Sequence, residues 1–154
     1  MGLEIERKFL LSNDDWRHLG TPVHYAQGYL AADDFRTVRV RVAGNQGFLT
    51  IKGASEGFSR LEFEYPIPVA EALQMLGLCV MPMIEKFRTK ISFEGKVWEI
   101  DEFEGDNRGL IMAEIELHSE EESFIIPPWI GEEVTGDKRY FNSQLALHPF
   151  QSWV

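Results

Sequence analysis

Leu3-Glu4-Ile5-Glu6-Arg7-Lys8-Phe9-Leu10-Leu11 opens the chain with an alternation. In a strand, residues i and i+2 share a face. Leu3, Ile5 and Phe9 therefore fall on one face, and Glu4, Glu6 and Lys8 on the other. The stretch reads as a strand with one apolar face and one ionisable face.

The same period recurs along the chain. Tyr25–Leu30, Thr37–Ala43, Phe48–Lys52, Ser59–Ile67, Ile84–Phe93, Lys96–Phe103 and Ile111–His118 all alternate, which makes eight candidate strands with the first. Turn signals separate them, among them Gly44-Asn45-Gln46-Gly47, Glu94-Gly95 and Gly105-Asp106-Asn107-Arg108-Gly109. Sequential strands joined by short turns imply an antiparallel meander, and closing it removes the exposed edges. The expected class is mainly β: an eight-stranded antiparallel closed barrel with a few helices packed outside. Val69–Leu78, entered through Pro68, reads as one helix. Asp14–Leu19, Glu120–Phe124 behind an N-cap at Ser119, and Asn142–Leu147 read as shorter ones.

The two faces differ in kind. The apolar face continues through Val38, Val40, Leu61, Phe63, Trp98, Ile100 and Ile115. The other carries Arg39 and Arg41, Arg60, Glu62 and Glu64, Lys86, Arg88 and Lys90, Glu99 and Asp101, Glu114 and Glu116. An antiparallel sheet with one dry and one wet face is the plain explanation of alternation. Two features weigh against it. The polar face has few Ser, Thr, Asn or Gln residues, and its charges are sorted by strand. Like charges on one face repel unless an opposite charge is near. A tunnel with the charged face inward satisfies both signs at once. Its carboxylates would gather a hard cation, and its Arg and Lys side chains would gather phosphate oxygens.

Composition narrows the possibilities. The chain has 154 residues, enough for one domain spanning 1–154. Its 25 acidic and 15 basic residues leave a net charge of −10. That argues against a nucleic-acid footprint and against an anionic membrane surface. Cys79 is the single cysteine, so no disulfide framework forms within the chain. No apolar run is long enough to span a membrane, and the N-terminus lacks a signal core, so a cytoplasmic protein is expected. His18, His24, His118 and His148 lack metal-ligand spacing and are expected at the surface. Trp129, after Pro127-Pro128, is expected to be a packing anchor.

Glu4-Ile5-Glu6-Arg7-Lys8 resembles the ExExK signature of the triphosphate tunnel metalloenzymes, the CYTH superfamily. Further elements resemble the family in order: Arg39-Val40-Arg41, Lys52, Arg60 to Glu64, Glu85-Lys86-Phe87-Arg88, Asp101 and Glu114-Ile115-Glu116. The segment Gly131 to Tyr140 resembles the C-terminal part of short bacterial members, which are inorganic triphosphatases. The resemblance implies a tunnel acting on triphosphates with Mg2+ or Mn2+. It implies metal-side carboxylates at Glu4, Glu6, Glu62, Asp101, Glu114 and Glu116. It implies a phosphate path of Lys8, Arg39, Arg41, Lys52, Arg88 and Lys138, with Arg60, Lys86 and Arg139 beside it. Lys8 with Tyr29 resembles the base dyad proposed in short members; the alternative is that Lys8 simply binds phosphate.

The expected function is metal-dependent hydrolysis of inorganic triphosphate to pyrophosphate and phosphate. The competing readings are a class IV-type adenylate cyclase, an organic (thiamine or nucleoside) triphosphatase, and a non-catalytic polyphosphate-binding module. Trp16 and Trp129 are the only candidates for a base-recognition surface. The sequence allows a homodimer.

Overall fold

The computed structural model describes residues 2–153. Its strands are β1 (Leu3–Leu11), β2 (Val23–Ala32), β3 (Arg36–Ala43), β4 (Gln46–Gly53), β5 (Ser59–Ile67), β6 (Ile84–Phe93), β7 (Lys96–Phe103), β8 (Ile111–Glu116) and β9 (Ile130–Glu133). The helices are α1 (Val69–Leu76) and α2 (Asn142–Leu147). The first eight strands are the alternating stretches of the sequence, four of them with the same bounds.

The hydrogen-bonded order is β5-β4-β3-β2-β6-β7-β8-β1, and β1 returns to β5 through Leu3↔Leu61 and Glu4↔Arg60. The eight strands thus close into an antiparallel barrel. β9 lies beyond the closure. It pairs with the second half of β1, Phe9 opposite Glu133 and Leu11 opposite Ile130. Only four residues long, it carries no alternation a sequence could show. The β6–β7 connection has Glu94 and Gly95 both at positive φ, 51° and 77°, the backbone that a two-residue hairpin turn needs.

Three coverings pack on the barrel. α1 lies against β3 and β4, where Ala72 is fully buried over Gly47; a Cβ at Gly47 would stand 2.9 Å from that of Ala72. A larger apolar cluster covers β1, β6, β7 and β8: Trp98, Ile100, Ala113 and Ile115 are wholly buried under Trp16, Trp129 and Phe124. A second cluster joins Ile84, Phe103 and Met112 to Leu145 and Ala146 of α2, closing one end of the barrel. The covering is incomplete. Leu61 and Tyr65 on the outer wall of β5 remain 56 % and 55 % exposed.

Two expected helices are absent, for local reasons. Asp14–Leu19 forms turns: Asn13 accepts the Asp15 N–H at 2.9 Å as a cap would, but the Arg17 and Leu19 N–H groups then bond carbonyls three residues back, those of Asp14 and Trp16, both at 3.0 Å. The segment is held by burial of Trp16 instead. Behind Ser119, the Glu122 carboxylate reaches the amide of His118 rather than that of Ser119. Phe124 is then drawn toward Phe9 and Trp98 at ring distances of 6.3 and 5.8 Å. α1 ends at Leu76, two residues early, where Gly77 N–H turns back to the Gln74 carbonyl. The four histidines are exposed, and Trp129 is a packing anchor against Trp98.

Candidate active site

A cavity of about 250 Å³ runs inside the barrel. Its wall holds the inward face of the strands: Glu4, Glu6 and Lys8 of β1, Tyr29 of β2, Arg39 and Arg41 of β3, Lys52 of β4, Arg60 and Glu62 of β5, Lys86 and Arg88 of β6, and Glu114 and Glu116 of β8. Each enters the lumen because it sits at an i+2 step from its neighbours in a strand whose other face meets apolar cover.

The strand register sets like charges side by side. Glu6 stands opposite Glu116, and Glu99 opposite Glu114. Burial, then Glu114 and Glu4, push the Glu6 carboxyl well above the usual range. Burial also acts to raise Glu114, but Lys8, a hydrogen bond from Glu6, Arg88 and Lys86 outweigh it and hold that carboxyl low. The two carboxyls are therefore pushed apart, Glu6 being the readier to hold a proton. Glu4 is answered within the protein, by Lys52 Nζ at 3.0 Å and Arg60 Nε at 3.3 Å.

On the basic side, Arg39 is held by Thr50 Oγ1 at 3.1 Å and Glu64 at 3.4 Å. Arg88 is bidentate to Asp101 at 2.7 and 2.8 Å. Arg41 has neither hydrogen bond nor ion pair among the described residues, and its buried Nε has no partner. It faces only the Tyr25 ring, at 5.1 Å, a ring shared with Arg88 at 4.9 Å. Burial, Arg39 and Arg88 push the Arg41 guanidinium down to about 9.

The CYTH domain model matches residues 2–145. The chain belongs to the CYTH family. It is 53 % identical over 154 residues to an inorganic triphosphatase of Acetivibrio thermocellus, covering 99 % of each chain. It is 39 % identical over 149 residues to an inorganic triphosphatase of Nitrosomonas europaea, covering 94 % of this chain and 97 % of that one. A crystal structure of an inorganic triphosphatase superposes with a TM-score of 0.66 at 36 % identity, covering 93 % of this chain and 97 % of the other.

Three expected site residues of this CYTH barrel stand elsewhere. Asp101 is wholly buried behind the wall, gripped by Arg88 and by Lys86 Nζ at 2.8 Å. Two cations already occupy its oxygens, so it orients Arg88 and Lys86 and offers no open face to a metal. Lys138 and Arg139 lie outside the barrel. Asp137 captures the Arg139 guanidinium at 2.7 Å within the same turn, and that guanidinium sits over Tyr140 and Trp153 at 5.4 and 5.3 Å. Lys138 is exposed. The expected Lys8–Tyr29 pair is not joined by a hydrogen bond. Lys8 Nζ stands 3.9 Å from Glu6 and 4.9 Å from the Phe141 ring centre, while the Tyr29 hydroxyl accepts from Gln27 at 3.4 Å.

Other lining residues escaped the sequence reading as site residues. Glu64, Glu99 and Lys90 were legible as members of the ionisable face. Tyr25, Phe141, Asn142 and Ser143 were not, since aromatic and amide side chains carry no charge pattern.

Asp101 also gives a pH signature. Burial acts to raise its carboxyl, but Arg88 and Lys86 bring it down to about 2. Between that value and the unfolded value of about 4 the unfolded chain binds the extra proton, so stability rises with pH through that window. Melting temperature is expected to fall as pH drops from about 4 toward 2, and the Asp101→Asn variant should show a shallower limb, Glu114 and Glu4 supplying the rest. An unchanged acid limb in the variant would remove Asp101 from the account.

The carboxylates suit a hard divalent cation. Magnesium takes one or two carboxylates together with waters and substrate oxygens, which Glu6, Glu114 and Glu116 can supply without forming a closed cage. No three acidic, His or Cys side chains stand ready-converged among the described residues.

Proposed function

We propose that this CYTH protein hydrolyses inorganic triphosphate to pyrophosphate and phosphate with Mg2+ or Mn2+. The observation that carries this is Arg41, an enclosed guanidinium without an acidic partner, set between Arg39 and Arg88 and facing a carboxylate wall. An uncompensated buried cation is costly, and a polyanion removes that cost. The similarity to proteins named inorganic triphosphatase supports the same reading.

Phosphoryl transfer needs positioning and charge neutralisation more than covalent chemistry. Arg39, Arg41 and Arg88 hold the non-bridging oxygens in forked geometry. Lys8 and Lys52 add charge along the chain of phosphates. Glu6, Glu114 and Glu116 would hold the divalent ion, which when bound neutralises phosphate oxygens and polarises water. Water attacks the terminal phosphorus, the bond to the bridging oxygen breaks, and pyrophosphate leaves as its new charge meets the arginines. In this reading Lys8 binds phosphate, and the alternative is that it acts with Tyr29 as a base dyad.

Trp16 and Trp129 lie in the outer core, so neither offers a nucleobase a stacking surface. The net charge of −10 supports a small anionic substrate over nucleic acid, and no helix among the described residues is long and apolar enough to cross a membrane. A cytoplasmic location remains part of this proposal. The test is kcat/KM for inorganic triphosphate, ATP and pyrophosphate with Mg2+ or Mn2+, then with a chelator. Inorganic triphosphate is expected to be preferred, and the chelator to abolish turnover. Cyclic AMP formed from ATP, or full turnover without metal, would overturn the reading.

A further inference from the structure

The C-terminal segment enters the cavity wall through Phe141, Asn142 and Ser143, although the turn before them lies outside. Leu145 and Ala146 anchor it in the apolar cluster that closes the barrel end. Asn142 Oδ1 accepts a hydrogen bond from Lys86 Nζ at 2.9 Å and another from Gln27 Nε2 at 3.2 Å. An ammonium only donates, so the atom facing it is the oxygen, and the amide has one possible orientation. Lys86 Nζ spends a second N–H on Asp101 at 2.8 Å, and its third remains for the lumen it lines. The neighbouring Phe141 ring receives Lys8 Nζ at 4.9 Å and the Arg60 guanidinium at 5.5 Å.

These partners share a property. An amide oxygen and an aromatic face both orient a cation without cancelling its charge. A carboxylate would orient it equally well, and would neutralise what a polyanion needs. Acids orient the cations of the barrel as well, Lys52 and Arg60 by Glu4, Arg39 by Glu64, Arg88 and Lys86 by Asp101, and Asn142 gives Lys86 a second, neutral anchor. Asp101 is shared between Arg88 and Lys86, and burial pushes the Lys86 ammonium down to about 7, so this part of the wall is short of negative charge until a polyanion binds.

We propose that Asn142, with Phe141 beside it, is a positioning residue that aims Lys86 at bound triphosphate without adding negative charge beside it. This rests on the cavity being the triphosphate site. The C-terminal segment is thereby part of the binding machinery, and through residues other than its basic Lys138 and Arg139. A lysine loses rotamer freedom when it is fixed. Fixing Lys86 during folding leaves less to lose at substrate binding, which favours affinity over the chemical step.

The test is a double-mutant cycle with Asn142→Ala and Lys86→Met, reading KM and kcat for Mg2+–triphosphate. Turnover by the parent is established first, so its failure stays distinct from failure of this inference. Asn142→Ala is expected to raise KM about tenfold, the scale of one hydrogen bond to a charged group, with kcat within about twofold. In the Lys86→Met background the same change should move KM less than about twofold. Asn142→Asp keeps the acceptor and the shape, so it tests charge without disturbing packing. It should raise the melting temperature of the ligand-free protein and raise KM as well, a pair of shifts that a purely structural asparagine does not produce. Parental KM in Asn142→Ala or Asn142→Asp, or an equal Asn142→Ala effect in both backgrounds, would overturn the proposal.

Discussion

In Glu6→Gln, turnover of inorganic triphosphate is expected to fall about a hundredfold or more at saturating Mg2+, the several kcal/mol of charge stabilisation a metal supplies. The fold should survive unchanged. Glu6 stands opposite Glu116 and close to Glu4 and Glu114. Burial and the neighbouring Glu114 and Glu4 raise its carboxyl, so a glutamine keeps the shape and relieves the like-charge crowding of the resting state. What glutamine cannot do is ionise when a divalent cation arrives. Melting temperature without metal should therefore at least match the parent, and the rise produced by Mg2+ with triphosphate should shrink. A variant with parental kinetics across a Mg2+ titration would place the metal elsewhere. A variant that melts early would instead show that Glu6 is structural.

Arg41→Ala separates a tunnel from a wet sheet face. A solvent-facing arginine changes stability by no more than about 0.5 kcal/mol when replaced, and it leaves kinetics alone. An arginine that grips phosphate loses charge-assisted hydrogen bonds worth about 1.5–3 kcal/mol, so kcat/KM should drop about ten- to hundredfold. Stability should move the other way. Arg41 has no acidic partner and is repelled by Arg39 and Arg88, so its removal relieves the empty barrel and the melting temperature should stay level or rise. Triphosphate stabilises the parent by mass action and should stabilise the variant less. Parental kinetics with parental ligand stabilisation would show that this guanidinium does not hold the substrate.

The two cases also show where the sequence was readable. Glu6 and Arg41 sit in strands whose alternation runs for eight or nine residues. Period 2 is a local property of a chain with two unlike environments on its two sides. It therefore reports strand, face and charge at once, before any pairing is known. The short elements were less legible. Asp14–Leu19 and Glu120–Phe124 had helical composition, but so few residues form a helix only if tertiary packing supports it. Packing instead took Trp16 and Phe124 into the outer core.

By itself, then, the sequence determined the eight strands of the barrel, though not β9, together with the inward face and the residue types that the lumen would carry, because alternation and side-chain charge are written residue by residue. Tertiary structure alone decided which of those charges are free. Asp101, Arg88 and Lys86 look alike in sequence as members of the ionisable face. Only the β6–β7 register, which sets Arg88 opposite Asp101, shows the acid is consumed behind the wall. Arg39 and Arg41 are two residues apart and chemically identical. Cross-strand pairing gives Arg39 a threonine and a glutamate and leaves Arg41 an aromatic ring. Asn142 lies 56 positions from Lys86 and 115 from Gln27. Partnership at such separations depends on closure of the barrel and docking of its end, and no local pattern encodes it.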